Sequence, residues 1–302
     1  MYDKSDPRAQ LAASSAPKPT PKAYQPASYG LFYDEAPAVS TATERTWLTR
    51  GQNFLVAYTQ AQPGAVLART GQADEYVALL PDRGTPAEMS AGGQTVTSDG
   101  YSLTIMPPGD SAITLPAGGR IARIFSTVSR DLTDKCSNAS AYADGDPNIP
   151  PFKPWPAPPG GFAIRTYSLD VPAQPGRFGR IFRCTTLMVN VLDPQVGPRD
   201  ITKLSPHHHD DFEQGSLAVD GSFTHHLRWP WTVDMNMWRE DEHAFCRSPS
   251  LTIIPPPSIH TSRGMEQDLN QLIDIFGPPR VDFSRQPGWV LNADEYPMPE
   301  DA

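Results

Sequence analysis

The chain has 302 residues, 38% of them hydrophobic, with 34 prolines, three cysteines and a net charge of -9 at pH 7. That length accommodates two compact domains, each with its own core. The acidic balance excludes the basic footprint of a nucleic-acid surface. No apolar run is long enough for a spanning helix, and Cys136, Cys184 and Cys246 are too scattered for a disulfide framework.

Residues 1–28 start Met1-Tyr2-Asp3-Lys4, without the basic start and apolar core of a secretion signal, so a cytoplasmic location is expected. Their Ala/Pro-rich run has too little apolar content to fold alone and reads as a flexible tail. Residues 29–145 form the first expected domain, with strands such as 53–58, whose content is apolar, aromatic and β-branched. The sequon Asn138-Ala139-Ser140 has meaning only in a secreted protein. Residues 146–162 are so dense in proline that they predict a stiff, extended linker. In the second domain, 163–302, the run Thr186–Val191 predicts a further strand. A helix is expected over 265–276, where Leu269, Leu272, Ile273 and Phe276 share a face and Gly277-Pro278-Pro279 stops it. A shorter helix is expected after Asp234, with Asp234 as its cap and Trp238 on the inner side.

The second domain carries His207-His208-His209-Asp210-Asp211-Phe212-Glu213 and then, 47 residues on (260 − 213), Pro255-Pro256-Pro257-Ser258-Ile259-His260. Side chains alternate along an extended strand, so His207 and His209 point one way and His208 the other. His207, His209, Glu213 and His260 are therefore the candidate ligands of one first-row metal ion. The pattern H-x-H-x3-E followed by P-x4-H resembles the two metal motifs of the cupin superfamily. It departs from the commonest form at Pro257, at Gly264 and in the late glycine Gly221, all turn positions. The resemblance implies an all-β fold of small barrels that hold a metal near the barrel axis.

Two copies of the barrel are expected. The segment Ser250-Leu251-Thr252-Ile253-Ile254-Pro255-Pro256 echoes Ser102-Leu103-Thr104-Ile105-Met106-Pro107-Pro108, 148 residues earlier (250 − 102), and Glu213 echoes Glu75, 138 earlier (213 − 75). Such a repeat signals a duplicated domain. The offsets set Arg69, Gly71 and Ala112 opposite His207, His209 and His260, so the N-terminal barrel should be metal-free. The C-terminal copy has 10 extra residues (148 − 138), assigned to the stretch from Thr224 to Asp234 and read as a lid or pocket wall. Its pocket candidates are His226, Arg228, Trp229 and Trp231. The tryptophans would stack on a substrate ring or exclude water, and Arg228 would pair with a carboxylate. Of the neighbours His225 and His226 only one can face the cavity, and His226 is taken as that one.

Three imidazoles and one carboxylate suit iron, manganese, nickel, cobalt or zinc. Cupins with such ligands include dioxygenases, decarboxylases, isomerases and lyases, so the resemblance leaves the reaction open. The leading expectation is an iron-dependent dioxygenase of a small oxygenated or aromatic compound. The alternatives are a metal-dependent isomerase or lyase of keto or deoxy sugar acids and a non-enzymatic metal- or ligand-binding bicupin. The expected partners are a small-molecule substrate and a second copy in a homodimer, with neither nucleic acid nor membrane.

Overall fold

Period-two alternation organises the chain. On the strand Gln214–Asp220, Leu217 and Val219 join an apolar cluster that also takes residues from the first half of the chain, while Gln214, Ser216 and Ala218 face the other way. The matching strand Tyr76–Ala91 sends Val77 and Leu79 into that shared cluster and Tyr76, Ala78 and Leu80 into a separate one. Two large sheets therefore press their outer faces together through a common apolar layer, and each curls around its own interior.

The computed structural model describes residues 24–300. Among them the strands form a nine-stranded sheet, a seven-stranded sheet and a three-stranded sheet in which Ser222–Arg228 lies between Glu242–Arg247 and Ile259–Gly264. The all-β, two-barrel expectation is met. Most of the expected tail, up to residue 23, lies outside the described residues. Its last part is packed, with Tyr24 and Ala27 against Leu227, Trp229 and Ile254.

The sheets do not respect the expected boundaries at 29 and 163. Ser28–Gly30 pairs with Ser250–Ile254 of the C-terminal sheet, and Arg165–Ser168 pairs with Gln94–Met106 of the N-terminal one. Tyr29 stands opposite Thr252, and Thr166 stands opposite Thr104, 148 residues before Thr252 (252 − 104). The repeated Ser-Leu-Thr-Ile segment is thus the strand on which each barrel receives a strand of the other.

The helix expected over 265–276 is a strand, Leu269–Phe276, paired with Gln214–Asp220 on one side and Met188–Val191 on the other. A strand buried on both faces is apolar at consecutive positions, and over eight residues that pattern also matches helical spacing. The short C-terminal helix is Val281–Ser284. After Asp234 there is one 3-10 turn, Met235–Met237, and the Asp234 side chain caps it by accepting from the Asn236 N–H. Trp238 is not on an inner side: it is exposed and stacks on Trp231 at 4.5 Å. No helix among the described residues is long and apolar enough to cross a membrane.

Candidate metal centre

His207 reaches the site through an antiparallel bridge with His260, in which each N–H donates to the other's carbonyl, at 3.1 and 2.7 Å. His209 lies two residues on, and the three rings sit 4.3 to 5.1 Å apart. One nitrogen from each ring falls within 4.8 Å of the other two, a spacing that one ion can bridge. Nδ1 of His207 lies 2.9 Å from the Ser205 carbonyl, and Nδ1 of His260 lies 3.0 Å from the Ser258 carbonyl. A carbonyl only accepts, so both rings carry their proton on Nδ1 and present the Nε2 lone pair. Burial, then the neighbouring Arg280 and the other two imidazoles, hold His209 well below the usual histidine range, which keeps it neutral. His208 points away and sits 3.5 Å from Asp210. The donor set fits a first-row transition ion.

Glu213, expected as the fourth ligand, does not join the histidines. It accepts from the Tyr142 hydroxyl at 2.9 Å and from the Gln52 N–H, both in the first half of the chain. Burial raises its pKa to about 7. The next residue, Gln214, faces the histidines instead, with Oε1 3.0 Å from Nε2 of His209. Its Nε2 donates to Asp274 at 3.0 Å and to Ser216 at 3.1 Å. Consecutive residues entering a strand point to opposite faces, so only one of Glu213 and Gln214 can look inward. That rule was available in the sequence, and the acidic residue type obscured it.

Glu75 is placed as Glu213 is, with the barrels reversed. It accepts from the Thr185 N–H at 3.0 Å, the Thr185 hydroxyl at 2.8 Å and the Tyr296 hydroxyl at 2.7 Å, all in the second half. Gln52 and Thr185 occupy the same tight turn, closed by Gly51 N–H to the Phe54 carbonyl in one barrel and Cys184 N–H to the Leu187 carbonyl in the other. The echo between the two glutamates marks reciprocal docking of the barrels. In the first barrel Ala68, rather than Arg69, stands opposite Ala112, and Arg69 pairs with Asp131. A bulge between Arg69 and Gln72 shifts the register.

Of the adjacent histidines, the inward one is His225, not His226. His225 is 1% exposed, its Nδ1 lies 2.8 Å from the Ser262 hydroxyl, and its Nε2 has no hydrogen-bond partner. Desolvation, then the nearby His260 and His226, lower its pKa to about 3. His226 faces outward and meets His243, Nδ1 to Nδ1, at 2.8 Å. Phe223, His225 and Leu227 form the buried row of their strand, which turns His226 and Arg228 to the other face.

The remaining pocket candidates also lie elsewhere. Arg228 pairs with Asp241 on the surface. Trp229 is buried, donates its indole N–H to the Gln25 carbonyl at 3.2 Å and lies under Arg239. Trp231 is 76% exposed. The cavity beside the histidines measures about 620 Å³, and its lining includes His207, Gln214, His260, Ser262 and Asp274, the aromatic rings of Phe178 and Phe223, and Arg177, Arg199 and Lys203.

No family model matches this chain, and no curated protein matches it. Solved structures do. An oxalate decarboxylase from Lactobacillus farciminis in a formate complex superposes with a TM-score of 0.56 at 15% identity, over 83% of this chain and 86% of that one. An oxalate decarboxylase variant from Bacillus subtilis gives 0.53 at 12% identity over 91% and 79%. AerE from Microcystis aeruginosa gives 0.53 at 8% identity over 79% and 94%. At such identities the likeness is one of architecture, and together with the sheets described above it gives this chain the two-barrel cupin fold.

Proposed function

We propose that the protein is a metal-dependent enzyme acting on a small, oxygen-rich anion bound beside His207, His209 and His260. The observation that carries this reading is the clustering of three imidazoles, one nitrogen of each within 4.8 Å of the others, with His207 and His260 lining a cavity of about 620 Å³. Because Glu213 is turned away, the protein offers three neutral rings and no carboxylate in the set, so a divalent ion keeps its full charge. A substrate with two neighbouring oxygens, one ionised, answers that charge best. The bound ion would supply Lewis acidity or, if iron, redox chemistry. The Ser205 and Ser258 carbonyls fix the two ring orientations, and Phe178 and Phe223 add aromatic surface to the cavity lining.

Iron-dependent dioxygenation is the first reading of the reaction. Its test is oxygen uptake by the iron-loaded protein with catechols, hydroxybenzoates, diketones and short dicarboxylates. Uptake with none of them rules it out. The second reading, a lyase or isomerase reaction without net oxidation, is supported by the fold likeness to oxalate decarboxylases. Turnover of oxalate or a sugar acid without oxygen consumption would select it. The tryptophans no longer support an aromatic substrate, since neither Trp229 nor Trp231 lines the cavity.

A further inference from the structure

We propose that the N-terminal barrel braces the metal centre of the C-terminal one, with Glu213 as the positioning residue and Gln214 as the oxygen donor that it positions. This rests on the metal-binding reading above and deepens it. Glu213 is 5% exposed, and both of its donors, the Gln52 N–H and the Tyr142 hydroxyl, belong to the other barrel. The backbone entering the strand Gln214–Asp220 is thereby pinned from outside, one residue before the side chain that meets His209.

The amide of Gln214 has a fixed sense. Asp274 and Ser216 take its two N–H donors, so the carbonyl oxygen faces the histidine. Two donors about 2.1 Å from one ion and at right angles to each other stand about 3 Å apart. Oε1 of Gln214 and Nε2 of His209 stand 3.0 Å apart. An ion held through this nitrogen of His209 would find Oε1 of Gln214 at ligand spacing, and a neutral amide would leave its charge intact.

The molecule contains its own control. Glu75 makes the same cross-barrel contacts, but the residue after it is Tyr76, which packs on Phe125 at 4.7 Å and bonds Ser111 at 3.0 Å. Breaking that second brace loosens the docking of the barrels without touching the histidines.

The test is Co2+ binding to the metal-free full chain, read as affinity and as the visible d–d spectrum, alongside the melting temperature. Gln214→Ala should weaken Co2+ by more than tenfold and change the spectrum, and Gln214→Glu should restore binding. Tyr142→Phe should weaken it about tenfold, the scale of losses outside the immediate ligands, with a smaller spectral change. Glu75→Gln should lower the melting temperature but leave affinity and spectrum unchanged. The brace is overturned if Tyr142→Phe behaves like Glu75→Gln, and the ligand assignment is overturned if Gln214→Ala keeps the wild-type spectrum. A wild-type chain that binds no Co2+ would overturn the metal reading itself, and this proposal with it.

Discussion

The two barrels share a strand plan and differ in what they enclose. The N-terminal interior is filled by Leu55, Tyr76, Leu80, Met106, Ile113 and Phe125. The C-terminal barrel buries His209, Gln214, Ser216, His225, His260 and Asp274. An apolar interior stabilises its barrel through packing alone. A polar interior adds stability only where its groups are satisfied, so such a cluster marks a site rather than a structural need. One interior is packed with apolar side chains and the other with polar ones, and Glu213 and Glu75 reach across between the barrels.

The largest effect that sharpens this contrast is on metal retention. His260→Ala should lower the affinity for a divalent transition ion by at least about 100-fold, since a ligand weighs more than the outer contacts whose loss costs 10 to 100-fold. The circular dichroism of the metal-free protein should stay as in the wild type. Next come the braces. Glu213→Ala and Glu75→Ala each strand a buried tyrosine hydroxyl and a backbone N–H, and each should cost about 2–4 kcal/mol in urea unfolding. Unequal costs would show that the two docking contacts are not equivalent.

His225 offers a pH test confined to the polar barrel. Its folded pKa is lowered to about 3, against about 6.5 in the unfolded chain, so the unfolded state binds the extra proton between those values. Its contribution is complete above pH 6.5 and is lost as pH falls toward 3, by about 1.4 kcal/mol for each unit below 6.5. His225→Gln should flatten that part of the stability profile in metal-free protein. A variant as acid-sensitive as the wild type would place the titrating group elsewhere. The smallest effect is expected at the exposed pair Trp231 and Trp238, where Trp231→Ala should change stability by about 0.5 kcal/mol or less and leave metal binding unaltered.

Much of this was legible in the residues. The His-x-His run, the distant histidine and the repeated Ser-Leu-Thr-Ile segment pointed to paired cupin barrels, the fold observed. The histidines meet as their spacing implied. Glu213 is a carboxylate at ligand spacing, and that residue type masks the alternation that turns it toward Tyr142. Sequence alone does not separate His225 from His226, since neighbours on a strand give no sign of which one faces inward until the partner strand is known, here through His225 opposite Ser262. The helix expected over 265–276 failed because burial on both faces removes the polar alternation that identifies a strand. The exchanged strands Ser28–Gly30 and Arg165–Ser168 are too short to carry a pattern of their own.

The most direct measurement is the metal stoichiometry of the full-length chain, by elemental analysis after dialysis against a mixture of divalent transition ions, for the wild type and His260→Ala in parallel. One ion per chain in the wild type and almost none in the variant is the expected result. Two ions per chain, or one that persists when His260 is gone, would contradict a single centre held by these histidines.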